Sequence, residues 1–389
     1  TPSLRVIALN AATGKLIWEY DGLNGAKGQF SVNRGVTYWR DGKQARILVT
    51  LDSDLISLDA RTGKLDQAFG QNGVVDLRDA FKDIPIPVKI SSSTPGVIYR
   101  DLLILGSAVP EALPSTPGDI RAYDVRTGKL RWTFHTIPRA GECGYDTWPP
   151  DAWKYSGGAN NWAGLTVDLD RGLVFVPTGS AAFDFYGADR HGDNLFANSI
   201  ICLDAATGKR KWHFQSVKHD TWDLDFPTAP LLATVKHNGK LMDVVVQAGK
   251  DGFIYVLNRE TGESLFPSEE RPVPASNMEG ELLSKTQRFS LKPAPFVRQE
   301  MTEATVTNRT EAAHKAALES LRNLDFGGRF TPASTKGTIV FPGFSGGAEW
   351  GGEAYDPETH LYYVNANEVA WILRLVPAIG MKKRDQAAQ

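Results

Sequence analysis

The chain has 389 residues, of which 43 are basic and 45 acidic, so its net charge at neutral pH is −2. So small a net charge gives no electrostatic reason to expect binding to nucleic acid or to an anionic membrane. No apolar run reaches the roughly 18 residues that a membrane-spanning helix needs. The residues after Thr1 lack the pattern of an export signal, so we expect such a signal to be absent or already removed.

A short motif recurs along the chain. Residues 8–18 return as 122–132 and 202–212, with weaker copies at 57–65 and 256–263. Each copy predicts a β-hairpin, because an Asp or Asn that accepts backbone hydrogen bonds precedes a Gly suited to positive φ. Repeated hairpins with two further short strands between them predict an all-β fold, a β-propeller of four-stranded blades. The Trp that ends each strong copy is expected to pack between blades rather than to stack on nucleic acid bases.

The turn glycines of the five copies are unevenly spaced. Gly14, Gly63, Gly128, Gly208 and Gly262 are separated by 49, 65, 80 and 54 residues. A blade needs roughly 40 to 50 residues. The residues in excess of this number are expected to form long loops that carry function. The largest surplus lies between Gly128 and Gly208.

One segment departs from the strand pattern. Residues of about 298–325 favour helix and place apolar side chains at helical spacing, which predicts a helical insertion on the outside of the propeller. Strands resume at 337–341, and a last hairpin is predicted at 354–363. The chain is therefore interpreted as one domain, 1–389, in which about six blades can be identified.

The cysteines and histidines give no metal-binding spacing. Cys143 and Cys202 are far apart in the sequence. The sequence is compatible both with a disulfide between them and with two buried thiols. The seven histidines contain no HxH or HxxxH pair and are interpreted as non-ligands. His219 could at most orient Asp220 or Asp223.

The most informative stretch is 219–227. It holds three Asp in six residues beside two aromatic residues and a Pro, and Lys250 follows in an apolar run. One interpretation is a site in which Asp223 is a catalytic base next to a metal and Lys250 reaches the same cofactor. The other is a polar surface loop that ends at Pro227.

Taken together, the repeat and the segments 217–225 and 347–352 resemble the quinoprotein dehydrogenases that depend on pyrroloquinoline quinone (PQQ). The resemblance runs from about Leu4 to Pro377 and is nearer to the membrane-bound glucose dehydrogenase type than to methanol dehydrogenase. It implies an eight-bladed catalytic propeller that oxidises a sugar or an alcohol by hydride transfer to PQQ. It also implies export to the periplasm and electron transfer to a quinone or a cytochrome c. Calcium is the metal that it implies first, with a lanthanide or Mg²⁺ as alternatives.

The resemblance also implies roles for individual residues. Asp223 would be the catalytic base, and Lys250 would act beside the quinone oxygens. PQQ is a planar tricarboxylate, so it needs cationic donors and an aromatic platform. The implied cofactor-binding residues are Arg34, Ser93, Trp162, Lys250, Trp350 and Asn367. The implied metal ligands are Glu111, Ser180, Asp223 and Asp225.

The sequence departs from the family pattern at three places. Ser180 stands where methanol dehydrogenases carry a metal-binding Asn, and Gly28 and Gln29 stand where they carry two adjacent cysteines. The chain is also shorter than a full family propeller, so it is expected to lack about two blades. Asp225 adds an acid two residues after the base, as in the lanthanide-using alcohol dehydrogenases.

The sequence is also compatible with two other classes of function. The chain could be a non-catalytic propeller that acts as a scaffold, or an inactive fragment of a quinoprotein. It could also be a propeller hydrolase or lyase, which requires two carboxylates at a suitable separation. The expectation for Asp223 and Asp225, two residues apart on an extended loop, is that they point in different directions and do not meet this requirement.

Overall fold

A computed structural model describes residues 1, 3–22 and 32–377. Gly28 and Gln29, the two departures at the expected cysteine pair, lie outside the described residues. Strands dominate the described chain. In order they are β1 (Arg5–Leu9), β2 (Leu16–Asp21), β3 (Thr37–Asp41), β4 (Gln44–Leu51), β5 (Asp54–Asp59), β6 (Val74–Asp76), β7 (Val97–Tyr99), β8 (Leu102–Leu105), β9 (Ile120–Asp124), β10 (Leu130–Phe134), β11 (Thr166–Asp168), β12 (Leu173–Pro177), β13 (Ser199–Asp204), β14 (Arg210–Gln215), β15 (Leu231–His237), β16 (Lys240–Ala248), β17 (Ile254–Asn258), β18 (Ser268–Pro272), β19 (Thr286–Ser290), β20 (Thr338–Val340), β21 (Glu353–Asp356), β22 (Leu361–Val364) and β23 (Trp371–Leu373).

The strands form a series of small antiparallel sheets. Three of these sheets have four strands, namely β3–β6, β7–β10 and β11–β14, and β15–β17 form a three-stranded sheet. The described part of the chain also contains the pairs β1–β2, β18–β19, β21–β22 and β20–β23. Apolar clusters lie between successive four-stranded sheets and between β11–β14 and β15–β17. The predicted propeller of small sheets that pack face to face is therefore confirmed.

The repeat turns have the predicted chemistry. In each copy an Asp or Asn side-chain oxygen accepts a hydrogen bond from the backbone N–H of a Thr three residues later, at 2.8 to 3.0 Å. The turn glycines have φ between 69° and 76°, a left-handed conformation that favours glycine. These contacts lie within five residues of chain, which explains why the sequence predicts them.

The tryptophans join neighbouring sheets, as predicted. The indole N–H of Trp132 donates to the carbonyl of Ala205, 3.3 Å away in the next copy of the motif. A Cβ on Gly208 would lie 2.5 Å from the Trp132 ring, so this position leaves no room for a side chain. Trp18 and Trp212 bond in the same way to the copies that follow them.

The inserted helix is shorter than predicted. It spans Glu311–Asn323 and begins after Thr310, whose side chain accepts a hydrogen bond from Ala313 N at 3.1 Å. The region 298–310 is not helical, because this N-cap fixes the start of the helix. None of the helix side chains is buried, in agreement with a position on the outside.

Two further sequence questions are answered by the fold. Cys143 is exposed and Cys202 is buried, and neither forms a disulfide. No helix in the described ranges combines the length and apolar character that crossing a bilayer requires.

Candidate active site

The loop that carries the acidic stretch is organised by Asp220. Its buried carboxylate accepts hydrogen bonds from the backbone N–H groups of Trp222 (2.9 Å) and Leu224 (2.7 Å) and from the side-chain amide of Asn198 (2.7 Å). The sequence pattern predicts no role for Asp220. The signal was present, since an Asp that bonds the backbone N–H two residues later is a common turn device.

The same loop brings Asp223 and Asp225 to one point, contrary to the expectation that they diverge. Residues two apart on an extended strand already lie on one face, so this expectation was wrong on strand geometry, and Asp223 itself has a left-handed φ of 58°. Lys250 Nζ lies 3.0 Å from both carboxylate oxygens of Asp223 and 3.2 Å from Asp225 Oδ2. The two acids therefore share one ammonium group.

This triad is buried, and its members influence each other's pKa. Burial raises the pKa of Asp223 well above its ordinary value, and the neighbouring Asp225 carboxylate raises it further. Burial acts on Asp225 in the same direction, but the Lys250 ammonium and the donors around Asp225 outweigh it and lower its pKa. Burial alone would lower the pKa of Lys250, yet the two carboxylates raise it. Asp225 is therefore the ionised partner of Lys250, and Asp223 is the stronger base.

Trp162 and Ser180 hold Asp225 from the other side. The indole N–H of Trp162 donates to Asp225 Oδ2 at 2.9 Å, and the backbone N–H of Ser180 donates to Oδ1 at 2.6 Å. The Ser180 hydroxyl lies 2.5 Å from Asp220 Oδ2 and 3.0 Å from Asp225 Oδ1. This hydroxyl is thus already engaged by two carboxylates.

Arg34 lies across the Trp162 ring from a separate segment of the chain. Its guanidinium carbon is 5.5 Å from the Trp162 ring centroid, and Lys250 Nζ is 5.7 Å from it. Arg34 NH1 donates to Ser93 Oγ (3.1 Å), Thr94 Oγ1 (3.0 Å) and the Trp162 carbonyl (3.1 Å). Among the described residues, Arg34 Nε and NH2 make no hydrogen bond.

These side chains surround a cavity of about 320 Å³. Its size lies within the range of small-molecule sites, roughly 300 to 1,000 Å³. The lining contains four acidic and two basic residues. The lining residues are Arg34, Ser93, Ala108, Val109, Pro110, Glu111, Gly158, Asn160, Trp162, Ser180, Asp184, Asp223, Asp225 and Lys250.

Two of the predicted cofactor residues do not line this cavity. The Asn367 side-chain amide donates to the Ser345 carbonyl at 3.0 Å. Trp350 is 67% exposed, and its ring centroid lies 6.0 Å from the Arg34 guanidinium carbon. Their proposed contacts with the cofactor stay predictions.

The structure corrects the interpretation of His219 and adds a residue that sequence analysis missed. His219 does not orient Asp220 or Asp223, because its ring nitrogens lie 2.8 Å from Glu281 Oε1 and 2.8 Å from the Gly192 carbonyl. Asp184 is buried on the cavity wall, although nothing in its local sequence marked it. The hydrogen bonds of His219 and the burial of Asp184 both depend on contacts between segments that are distant in the sequence.

The acidic residues do not form a closed metal cage. Within residues 1, 3–22 and 32–377, no three His, Cys, Asp or Glu side chains are close enough together to hold a metal ion by themselves. A metal in this cavity would therefore need further ligands, such as hydroxyl or carbonyl oxygens, water, or oxygens of a bound molecule.

Comparison with known proteins decides the family. The family described as "PQQ: Glucose/ethanol/alcohol dehydrogenase, beta-propeller domain" matches residues 1–389. The chain belongs to this family. The quinoprotein resemblance seen in the sequence is thus confirmed.

Individual relatives of this quinoprotein propeller are dehydrogenases. The chain is 32% identical over 410 residues to the quinoprotein glucose dehydrogenase A of Acinetobacter calcoaceticus, an alignment that covers 97% of the chain and 50% of the relative. It is 30% identical over 404 residues to the quinate/shikimate dehydrogenase (quinone) of Acinetobacter baylyi, with 97% and 49% covered.

A solved structure gives the same result. A quinohemoprotein alcohol dehydrogenase from Pseudomonas putida HK5 superposes with a TM-score of 0.69 at 26% identity, over 100% of the chain and 52% of that protein. The chain therefore spans about half the length of the curated relatives that it matches.

Proposed function

We propose that the chain provides the active site of a PQQ-dependent dehydrogenase that oxidises a sugar or an alcohol. The observation that supports this proposal most directly is the buried triad in which Lys250 Nζ lies 3.0 Å from both oxygens of Asp223, on the wall of a cavity that Trp162 also lines. Membership of the quinoprotein family supports the same reading.

The cavity has the chemical groups that PQQ requires. Arg34 has donor groups without a described hydrogen-bond partner, which suits an anionic carboxylate. The Trp162 ring provides a flat apolar surface, and Lys250 lies beside it. When bound, PQQ supplies the quinone that accepts the hydride.

The residues of the chain would handle the proton and the charge. Asp223 would accept the proton of the substrate hydroxyl while the hydride leaves the carbon that carries this hydroxyl. Lys250 would keep Asp223 in position and stabilise negative charge that develops near its ammonium group. Asp225, itself held by Trp162 and Ser180, would fix the position of Lys250.

Substrate, metal, location and electron acceptor belong to the proposal. The names of the relatives, which include glucose, quinate/shikimate and alcohol dehydrogenases, favour a sugar or an alcohol as substrate. We propose calcium as the metal, with a lanthanide or Mg²⁺ as alternatives, because the cavity offers hard carboxylate oxygens. We also propose a periplasmic location and a quinone or cytochrome c as the electron acceptor.

The test is reconstitution of the purified chain with PQQ and Ca²⁺, followed by dye-linked oxidation of a panel of aldoses and alcohols. We expect activity on at least one substrate class. Asp223→Asn should lose activity while the absorption spectrum still shows bound PQQ. Bound PQQ without any activity would contradict the proposal, and the absence of a bound chromophore at micromolar PQQ would favour a non-catalytic scaffold.

A further inference from the structure

Asp184 is a buried acidic residue of the cavity that the proposed function leaves without a task. It is 7% exposed and lines the cavity together with Asp223 and Asp225. Among the residues that the structure describes, no group donates a hydrogen bond to its carboxylate and no ion pair includes it. A buried ionised carboxylate without a partner is unfavourable, so this position calls for a positive group.

Arg190 does not fill that need. Arg190 exerts a favourable field on Asp184. However, its guanidinium group donates hydrogen bonds to the carbonyls of Phe183 (3.0 Å) and Asp220 (2.5 Å) and to the side-chain oxygen of Asn194 (2.7 Å). Arg190 therefore supports the loop rather than pairing with Asp184.

The other acids of the cavity divide into two groups. Asp223 and Asp225 already share the Lys250 ammonium. Glu111 is exposed at the cavity and, like Asp184, has no described hydrogen bond or ion pair, while its charge acts on Asp184. The lining thus carries more acidic than basic side chains, and Asp184 and Glu111 are the two acids of the lining without a described partner.

We propose that Asp184 is a ligand of a divalent cation in this cavity, together with Glu111, whereas Asp223 remains paired with Lys250. The inference rests on the proposed function, because it concerns the metal of the same site. Two carboxylates are sufficient when neutral oxygens, water or a bound molecule complete the coordination shell. Such a shell agrees with the absence of a three-acid cage in the described ranges.

The experiment measures Ca²⁺ binding to the full chain by isothermal titration calorimetry, without activity as a readout. Asp184→Asn should weaken Ca²⁺ binding at least about tenfold. Loss of a residue that only hydrogen-bonds to a metal ligand already weakens metal binding by roughly this factor, so loss of a ligand should weaken it at least as much. Asp189→Asn is the matched control, since Asp189 is exposed five residues further on and does not line the cavity. It should bind Ca²⁺ as the parent chain does.

Thermal unfolding distinguishes a ligand from a structural residue. Without Ca²⁺, Asp184→Asn should unfold at the same or a higher temperature than the parent, because it removes a buried carboxyl group that has no described partner. It should also lose the stabilisation that Ca²⁺ gives the parent. A lower midpoint without Ca²⁺, together with an unchanged Ca²⁺ response, would indicate a structural residue and overturn the inference.

The outcomes separate this inference from the proposed function. If Asp184→Asn bound Ca²⁺ with unchanged affinity while Asp223→Asn lost Ca²⁺ binding, the inference would be overturned and Asp223 would be identified as the metal ligand. A parent chain that binds PQQ, as its absorption spectrum would show, but no Ca²⁺ would overturn the inference and leave the PQQ site standing. A parent chain that binds neither would overturn both.

Discussion

The buried carboxyl group of Glu353 holds the backbone next to Lys250, and its effect on stability can be tested by changing the pH. Its Oε1 accepts hydrogen bonds from Thr228 Oγ1 (2.7 Å) and from the backbone N–H of Ala248 (2.8 Å), just before Lys250. Its other oxygen, Oε2, is buried beside the Tyr362 hydroxyl. Burial raises the pKa of Glu353 from 4.5 to about 7.

The sign of the effect follows from the raised pKa. The folded state favours the protonated Glu353, so its stabilising contribution is complete below pH 4.5 and is lost as the pH rises through 7. At about 1.36 kcal/mol per pH unit, the difference amounts to roughly 3 kcal/mol. For 389 residues the unfolding entropy is roughly 0.8 kcal/mol per kelvin, so the midpoint should change by about 4 °C.

The assay compares the thermal unfolding midpoints of the parent chain and Glu353→Gln between pH 4.5 and 7.5. The amide stays neutral, so the parent should lose about 4 °C relative to the variant over this range. Glu358→Gln, an exposed position on the same hairpin, is the control and should follow the parent. Parallel pH curves for the parent and Glu353→Gln would refute the reasoning.

Two further predictions concern the blade contact and the triad. Gly14 and Gly208 have nearly the same φ, 69° and 71°. A Cβ added at Gly14 would meet no atom within 4 Å, whereas a Cβ added at Gly208 would lie 2.5 Å from the Trp132 ring. Gly208→Ala should therefore cost about 1–3 kcal/mol more unfolding free energy than Gly14→Ala in denaturant titrations, and equal losses would refute the tryptophan contact. Lys250→Met leaves Asp223 and Asp225 without their ammonium and should cost about 3–5 kcal/mol at neutral pH. Lys240→Met, at an exposed position, should have little effect, and equal stabilities of the two variants would contradict the shared ion pair.

The sequence by itself determined the features that depend on near neighbours in the chain. The repeat turns follow from an Asp or Asn that bonds a Thr three residues later and a Gly with positive φ, and the tryptophans mark where one hairpin packs on the next. These signals were enough to predict the propeller. The family resemblance also pointed to Asp223, Lys250 and Trp162 as residues of one site.

Only the tertiary structure decided how the charged groups are shared. Asp223 and Asp225 share the ammonium of Lys250, which lies on a segment at least 25 residues further along the chain. His219 is bound by Glu281, which is 62 residues away, and Ala248 by Glu353, which is 105 residues away. That no described group donates a hydrogen bond to Asp184 likewise depends on how distant segments pack. Whether a buried charge has a partner depends on segments distant in the chain, and no local pattern contains that information.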